Sequence, residues 1–282
     1  MKLEAWLDDF IERALHEDIR DGDHTSQACI PADAESTAQL LVKDPGVLAG
    51  VEVARRILLR EDPKASISVL IQDGAPVNYG DIAFSVTANS RALLRCERLL
   101  LNTMQRMSGI ATLSNRYHFE VEDLNVKVLD TRKTTPLIRP LEKWAVRLGG
   151  CHNYRDGLYD WIMIKDNHVE AAGGITPAVR RVRAYLVEHD LALNITVEVR
   201  NLVELTEVLE VGGVTRIMLD NFEIPLLREA VAHVGGRFET EASGGITLQN
   251  LREYAKTGVD FISVGALTHS ATSLDLSLKI IE

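Results

Sequence analysis

The sequence predicts a mixed α/β protein: an N-terminal α+β layer over 1–108, then an incomplete, about six-stranded TIM-like α/β barrel over 109–270. A chain of 282 residues suits two domains. From about Val126 short apolar strands alternate with amphipathic helices, the pattern of a parallel sheet covered by helices. Before that point the order is helix, hairpins, long helix. Six strands fall short of the eight of a full barrel, so the barrel is read as short or open. A flat doubly wound sheet is the alternative arrangement. The tail 271–282 is expected to pack back on the first domain.

The N-terminal "MKLEAWLDDFIERALHED" is an amphipathic, acidic helix. "TAQLLVKDPGVLAG" reads as two strands around the turn residues Asp44, Pro45 and Gly46. "SISVLIQDGAPVNYGDIAFSVTAN" adds β segments broken at Asp73-Gly74 and at Asn78-Tyr79-Gly80. Arg91 to about Phe119 carries helical apolar spacing without an interior proline. Barrel strands are then read at "KVLDT", "WIMIKD", "ITVEV", "RIMLD", "FETEAS" and "FISVGA", the last four about 22 residues apart. Thr176-Pro177 is read as a cap followed by proline at the first helical position, and Asn201 with Glu204 as a capping box.

Composition excludes several classes. The net charge of -10 disfavours nucleic acid, whose phosphates need a broad basic surface. There is no apolar run long enough for a membrane span and no signal-peptide core. Three scattered cysteines without CxxC spacing argue against a disulfide framework or structural zinc, and for a reducing cytoplasm. Against this acidic background, Asp130–Leu158 holds six cationic side chains and three acids. Such a local basic pocket suits a small, multiply charged anion.

Barrel active sites lie at the C-terminal strand ends. Here those ends carry Asp130, Thr131, Arg132 and Lys133, then Lys165, then Glu198, Asp220, Ser243-Gly244-Gly245 and Gly265. Loops after the last strands commonly cradle phosphate with glycine amides. Glu198 and Asp220 end consecutive strands and could converge on Mg²⁺ bridging a pyrophosphate. A planar Arg132 fork suits a carboxylate, and Lys133 suits phosphate. Lys165 follows four apolar residues, so it is read at the mouth of a dry core, where a lone cation would be costly. His168 is read as supporting Lys165. Strand-end polar residues that only cap the next helix are the bland alternative.

At these residues the chain resembles the quinolinate phosphoribosyltransferase family. The resemblance rests on "EDIRDGDHTS", "RCERLLLN", "DTRKTTP", "GGCHNYRDGL", "IMIKDNH", "VEV", "MLDN", "SGGI" and "VGALTHS". It implies an N-terminal α/β sandwich domain, an incomplete barrel, and a homodimer in which one subunit closes the other's site. It implies the Mg²⁺-dependent reaction of quinolinate with phosphoribosyl pyrophosphate, giving nicotinate mononucleotide, pyrophosphate and CO₂ in NAD synthesis. By the same resemblance Arg132, Arg155 and Lys165, with Arg98 from the partner and Thr131 beside them, would hold quinolinate. Lys133, Glu198 and Asp220 would carry catalysis on the phosphoribosyl pyrophosphate side, with Ser243, Gly244, Gly245 and Gly265 as the phosphate loops.

Two positions depart from the family pattern. Tyr154 stands where the family has a histidine, and is expected to offer its phenol to a substrate carboxylate. Leu137 stands where a glycine is common. These leave room for a relative acting on another aromatic acid. The other enzymatic alternative is a Schiff-base aldolase using Lys133 or Lys165.

Overall fold

Residues 3–281 are described by the computed structural model. The first elements are α1 (Leu3–Ile19), α2 (His24–Cys29), β1 (Glu35–Val42), β2 (Gly46–Val47), α3 (Val51–Glu61), β3 (Ser66–Val69), β4 (Pro76–Val77), β5 (Ile82–Asn89) and α4 (Ser90–Val121). Next come β6 (Lys127–Leu129), α5 (Arg139–Leu148), β7 (Ile162–Ile164), α6 (Asp166–Ala172), α7 (Ile175–Glu188), β8 (Ile195–Val199), α8 (Leu202–Val211) and β9 (Arg216–Asp220). The chain ends with α9 (Ile224–Val234), β10 (Glu239–Ser243), α10 (Leu251–Ala255), β11 (Phe261–Ser263), α11 (Ala266–His269) and β12 (Leu276–Ile280).

Contacts divide the chain into two units: the first up to Asn115 with Pro140–Gly150 and the segment from Ala271, the second Arg116–Arg139 with Cys151–Ser270. In the first, β1 and β5 bury alternate residues (Ala38, Leu40, Val42; Phe84, Val86, Ala88), as a sheet with one covered face requires. The antiparallel order is β12-β1-β5-β3. The C-terminal tail is thus an edge strand, registered Leu40 to Leu278. The Asp44-Pro45-Gly46 segment does not close a hairpin on β1. Instead β2 pairs with β4, at Gly46 to Val77, and β1 takes β5 and β12 as neighbours. The turn residues are right, but sheet partners come from elsewhere in the sequence.

The second unit is a parallel six-stranded sheet in the order β6-β11-β10-β9-β8-β7. β8 is buried at every residue and β9 at all but its last, because both faces are covered. β6 and β7 are not paired with each other, so the barrel is open. His152 makes an isolated parallel bridge to Leu129, which extends the β6 edge. α8 starts at Asn201, whose side chain accepts from Val203 and Glu204 N–H. Glu204 does not complete a capping box. Its carboxylate accepts from Arg200 N–H at 2.7 Å instead. α7 starts after Gly174, so Thr176 and Pro177 lie inside its first turn, and Glu207 takes the Thr176 N–H.

Candidate active site

Polar residues at the C-terminal strand ends surround a cavity of about 950 Å³ within the second unit. β6 stops at Leu129, so Asp130 to Lys133 already belong to a loop. Asp130 is fully buried and its Oδ1 accepts the Tyr154 N–H at 2.8 Å, binding this loop to the one after α5. Thr131 Oγ1 accepts the Lys133 N–H at 3.0 Å, and Thr268 Oγ1 donates to the Lys133 carbonyl at 2.7 Å. Arg139 joins the two loops further, through Thr134 Oγ1 at 2.9 Å and the Asp156 carbonyl at 2.6 Å.

One wall is cationic. Arg132 and Arg155 both line it, with no ion pair to a carboxylate of the chain among the described residues. Arg132 Nε is buried without a hydrogen-bond partner among the described residues. Burial depresses the Arg155 guanidinium below its ordinary value, and the charge on Arg132 adds to the effect. Two like charges kept this close are stabilised by an anion between them. Lys165 differs from its sequence reading, because its ammonium is bonded to Glu198 rather than left alone. The turn behind it is held by His168, whose Nδ1 accepts the Lys165 N–H at 3.0 Å.

The opposite wall carries the glycine loops. Asp220 takes Ser243 Oγ at 2.6 Å and Asn221 Nδ2 at 2.6 Å. Gly244 has φ of +90°, and a Cβ there would lie 2.1 Å from Asn221 Oδ1. Only glycine fits. A Cβ on Gly265 would meet the Lys133 stem at 3.0 Å and His269 Nε2 at 3.1 Å. Lys133 is exposed and its aliphatic chain runs past this loop.

The cavity gathers Thr131, Arg132, Lys133, Tyr154, Arg155, Lys165, Glu198, Asp220, Ser243, Gly244, Gly245 and Gly265. Arg98 is not among them; it lies exposed on α4, in the first unit. Sequence reasoning missed Met163, Met218, Asn221, Ser263 and His269 as lining residues. Asn221 and His269 sat within "MLDN" and "VGALTHS". The two methionines are two residues back from Lys165 and Asp220, so strand alternation puts them on the same face.

Tyr154 lines the cavity, but its phenol is turned inward. Its hydroxyl lies 2.7 Å from Thr196 Oγ1, with the Glu241 carboxylate beside it. Burial raises the phenol well above its ordinary range, with the Glu241 charge next in effect. The expectation of a phenol offered to substrate therefore gives way to one already satisfied by the barrel interior. Nor is that interior apolar, since Arg216, Glu241 and Thr196 are buried in it.

Strand-end cations on one side of an open α/β barrel, with glycine loops on the other, define an enzyme of the phosphate-binding barrel class. The comparisons narrow this. The N-terminal domain of quinolinate phosphoribosyl transferase matches residues 23–108, and its C-terminal domain matches residues 110–279. The chain belongs to the quinolinate phosphoribosyl transferase family. A tobacco relative, quinolinate phosphoribosyltransferase [decarboxylating] 1b, is 45% identical over 96% of this chain and 81% of its own length. The nicotinate-nucleotide pyrophosphorylase [carboxylating] of Mycobacterium leprae is 43% identical over 96% of each chain. NadC from Streptococcus pyogenes superposes with a TM-score of 0.92 at 36% identity, over 98% of this chain and 97% of that one.

Proposed function

We propose that this chain transfers the phosphoribosyl group of phosphoribosyl pyrophosphate to quinolinate, releasing pyrophosphate and CO₂ and leaving nicotinate mononucleotide. The supporting observation is the Arg132–Arg155 pair, two cations beside one cavity, with a buried Arg132 Nε that has no hydrogen-bond partner among the described residues. A pyridine dicarboxylate supplies the planar oxygens that such forks accept. Lys165 and Thr131 complete the acid side of this reading, and Arg98 would join from a partner subunit in a homodimer. Ser243, Gly244, Gly245 and Gly265 would take the phosphates.

The chemistry asks for charge stabilisation rather than a covalent intermediate. As the bond from ribose C1 to pyrophosphate breaks, Lys133 balances the charge gathering on the leaving oxygens. The pyridine nitrogen forms the new bond to C1 and becomes cationic. The 2-carboxylate then leaves as CO₂, its bonding electrons stay on C2 beside that cationic nitrogen, and C2 takes a proton.

No group of three metal-binding side chains exists among the described residues. Asp220 and Glu198 offer hard oxygens at the cavity, which fits Mg²⁺ held mainly by substrate phosphates. When bound, it would neutralise charge on the pyrophosphate. The three free cysteines support a reducing compartment such as the cytoplasm.

The test is an assay of CO₂ and pyrophosphate release with quinolinate, then with nicotinate, as acceptor. Turnover with quinolinate alone supports the assignment; equal turnover with nicotinate overturns it. An aldolase would be trapped by borohydride with a keto substrate. An ammonium bonded to Glu198, as Lys165 is, has no lone pair ready for a carbonyl.

A further inference from the structure

The barrel interior under the cavity contains a buried ionic layer that the strand ends do not use. Arg216 on β9 is 5% exposed and Glu241 on β10 is 0% exposed. Arg216 Nη1 lies 3.2 Å from Glu241 Oε2, and Nη2 lies 3.0 Å from Glu239 Oε2. Its guanidinium carbon sits 3.6 Å from the centre of the Phe261 ring, 5.0 Å from that of Tyr154 and 5.2 Å from that of Trp161. The Ser263 hydroxyl, on the cavity lining, donates to Glu241 Oε1.

A further chain of contacts leads from Trp161 toward the same carboxylate. Trp161 Nε1 can only donate, and it donates to Thr196 Oγ1 at 2.8 Å. Thr196 Oγ1, which accepts that proton, lies 2.7 Å from the Tyr154 hydroxyl. The Glu241 carboxylate lies beside the same hydroxyl. The Ser263 and Tyr154 hydroxyls thus flank one buried carboxylate.

Tyr154 is held at its ends and across its ring. Its N–H is on Asp130 at 2.8 Å, its hydroxyl is in the relay, and its ring meets Trp161 edge-on at 5.5 Å. The next residue is Arg155, whose Nη1 reaches the Trp161 carbonyl at 3.4 Å. Barrel cores are ordinarily filled by branched apolar side chains. A buried ion pair is weak evidence of stabilisation, so a role next to the cavity explains this layer better than packing does.

We propose that Glu241, clamped by Arg216 and Ser263, is a positioning residue that fixes the Tyr154 phenol and so aims Arg155 at the aromatic acid. The inference rests on the function proposed above for the name of the acid, but not for the network itself.

Thr196→Val breaks the relay while leaving the Arg216–Glu241 pair intact, so it guards against a Glu241→Gln protein that fails to fold. Calorimetric affinity for quinolinate should fall about tenfold in Thr196→Val, Tyr154→Phe and Glu241→Gln, the loss of one good hydrogen bond. KM for quinolinate should rise in step, while kcat and KM for phosphoribosyl pyrophosphate stay within about twofold. The Thr196→Val/Tyr154→Phe double variant should be no weaker than Tyr154→Phe alone, since both act through one phenol. Thr196→Ser should restore the parent affinity. Unchanged quinolinate affinity in Thr196→Val, additive losses in the double variant, or equal losses for both substrates would overturn the proposal. A parent that binds quinolinate but releases no CO₂ would instead sink the functional reading, and the binding cycle would still decide this one.

Discussion

Ser243 Oγ donates a 2.6 Å hydrogen bond to Asp220 Oδ1, joining the ends of two paired parallel strands. Asn221 Nδ2 takes the other oxygen at 2.6 Å, so the carboxylate is fixed in direction before any ligand arrives. A group preoriented in this way costs little to reorganise when charge develops nearby. Ser243→Ala removes the serine's bond and leaves the asparagine's. The loss of a hydrogen bond to a charged acceptor, about 1.5 kcal/mol, corresponds to roughly tenfold in affinity. We expect KM for phosphoribosyl pyrophosphate to rise by about that factor, with KM for the aromatic acid within about twofold. Steady-state kinetics with each substrate varied in turn checks this. An equal rise in both would show that the two walls are not separable.

A second prediction concerns the cysteines. Cys29 is exposed, whereas Cys96 and Cys151 are buried. Burial pushes both buried thiols up to about 12. The thiolate is the reactive form, so at pH 8 the folded protein should react quickly with Ellman's reagent at Cys29 alone. All three should react after denaturation. The sign on stability follows from linkage. Folded thiols keep protons that unfolded ones, whose ordinary value is 9.0, have released. Their contribution is complete below about pH 9 and is lost as pH rises toward about 12. Urea midpoints at pH 8 and pH 10.5 should therefore fall less in Cys96→Ala and Cys151→Ala than in the parent.

The sequence made the barrel half of the fold legible because each strand ends in a residue that cannot be buried alone. Asp130, Lys165, Glu198, Asp220 and Ser243 sit where an apolar run meets a turn, and the cavity collects all of them but the buried Asp130. Strand pairing in the first unit was less legible. Asp44, Pro45 and Gly46 mark a turn, but nothing local says that β2 will pair with β4 or that β12 will pair with β1. The ionic layer was missed for a different reason. Arg216, Glu239 and Glu241 lie at alternate strand positions, which says that they share a face with Asp220 and Ser243 but not that this face is the barrel interior. Tyr154 misled the reading because one phenol serves equally as a ligand donor or as a core hydrogen bond, and only its neighbours decide.

Leu137 gives the last prediction. It lies in the loop between β6 and α5 with φ of +70°, and its side chain is 74% exposed. A branched side chain in the left-handed region crowds the following carbonyl and costs roughly 1–2 kcal/mol. Exposure means that no burial offsets this. Glycine adopts that conformation freely but loses roughly 0.5–1 kcal/mol more backbone entropy on folding. The strain term is the larger, so Leu137→Gly should be stabilising by up to about 1 kcal/mol. Leu137→Ala should not gain, because it keeps the Cβ that causes the crowding. Urea midpoints of the three proteins separate the cases. If alanine and glycine shifted the midpoint equally, the exposed isobutyl group rather than the backbone would be responsible. A glycine variant less stable than the parent would mean that Leu137 has a partner that covers it.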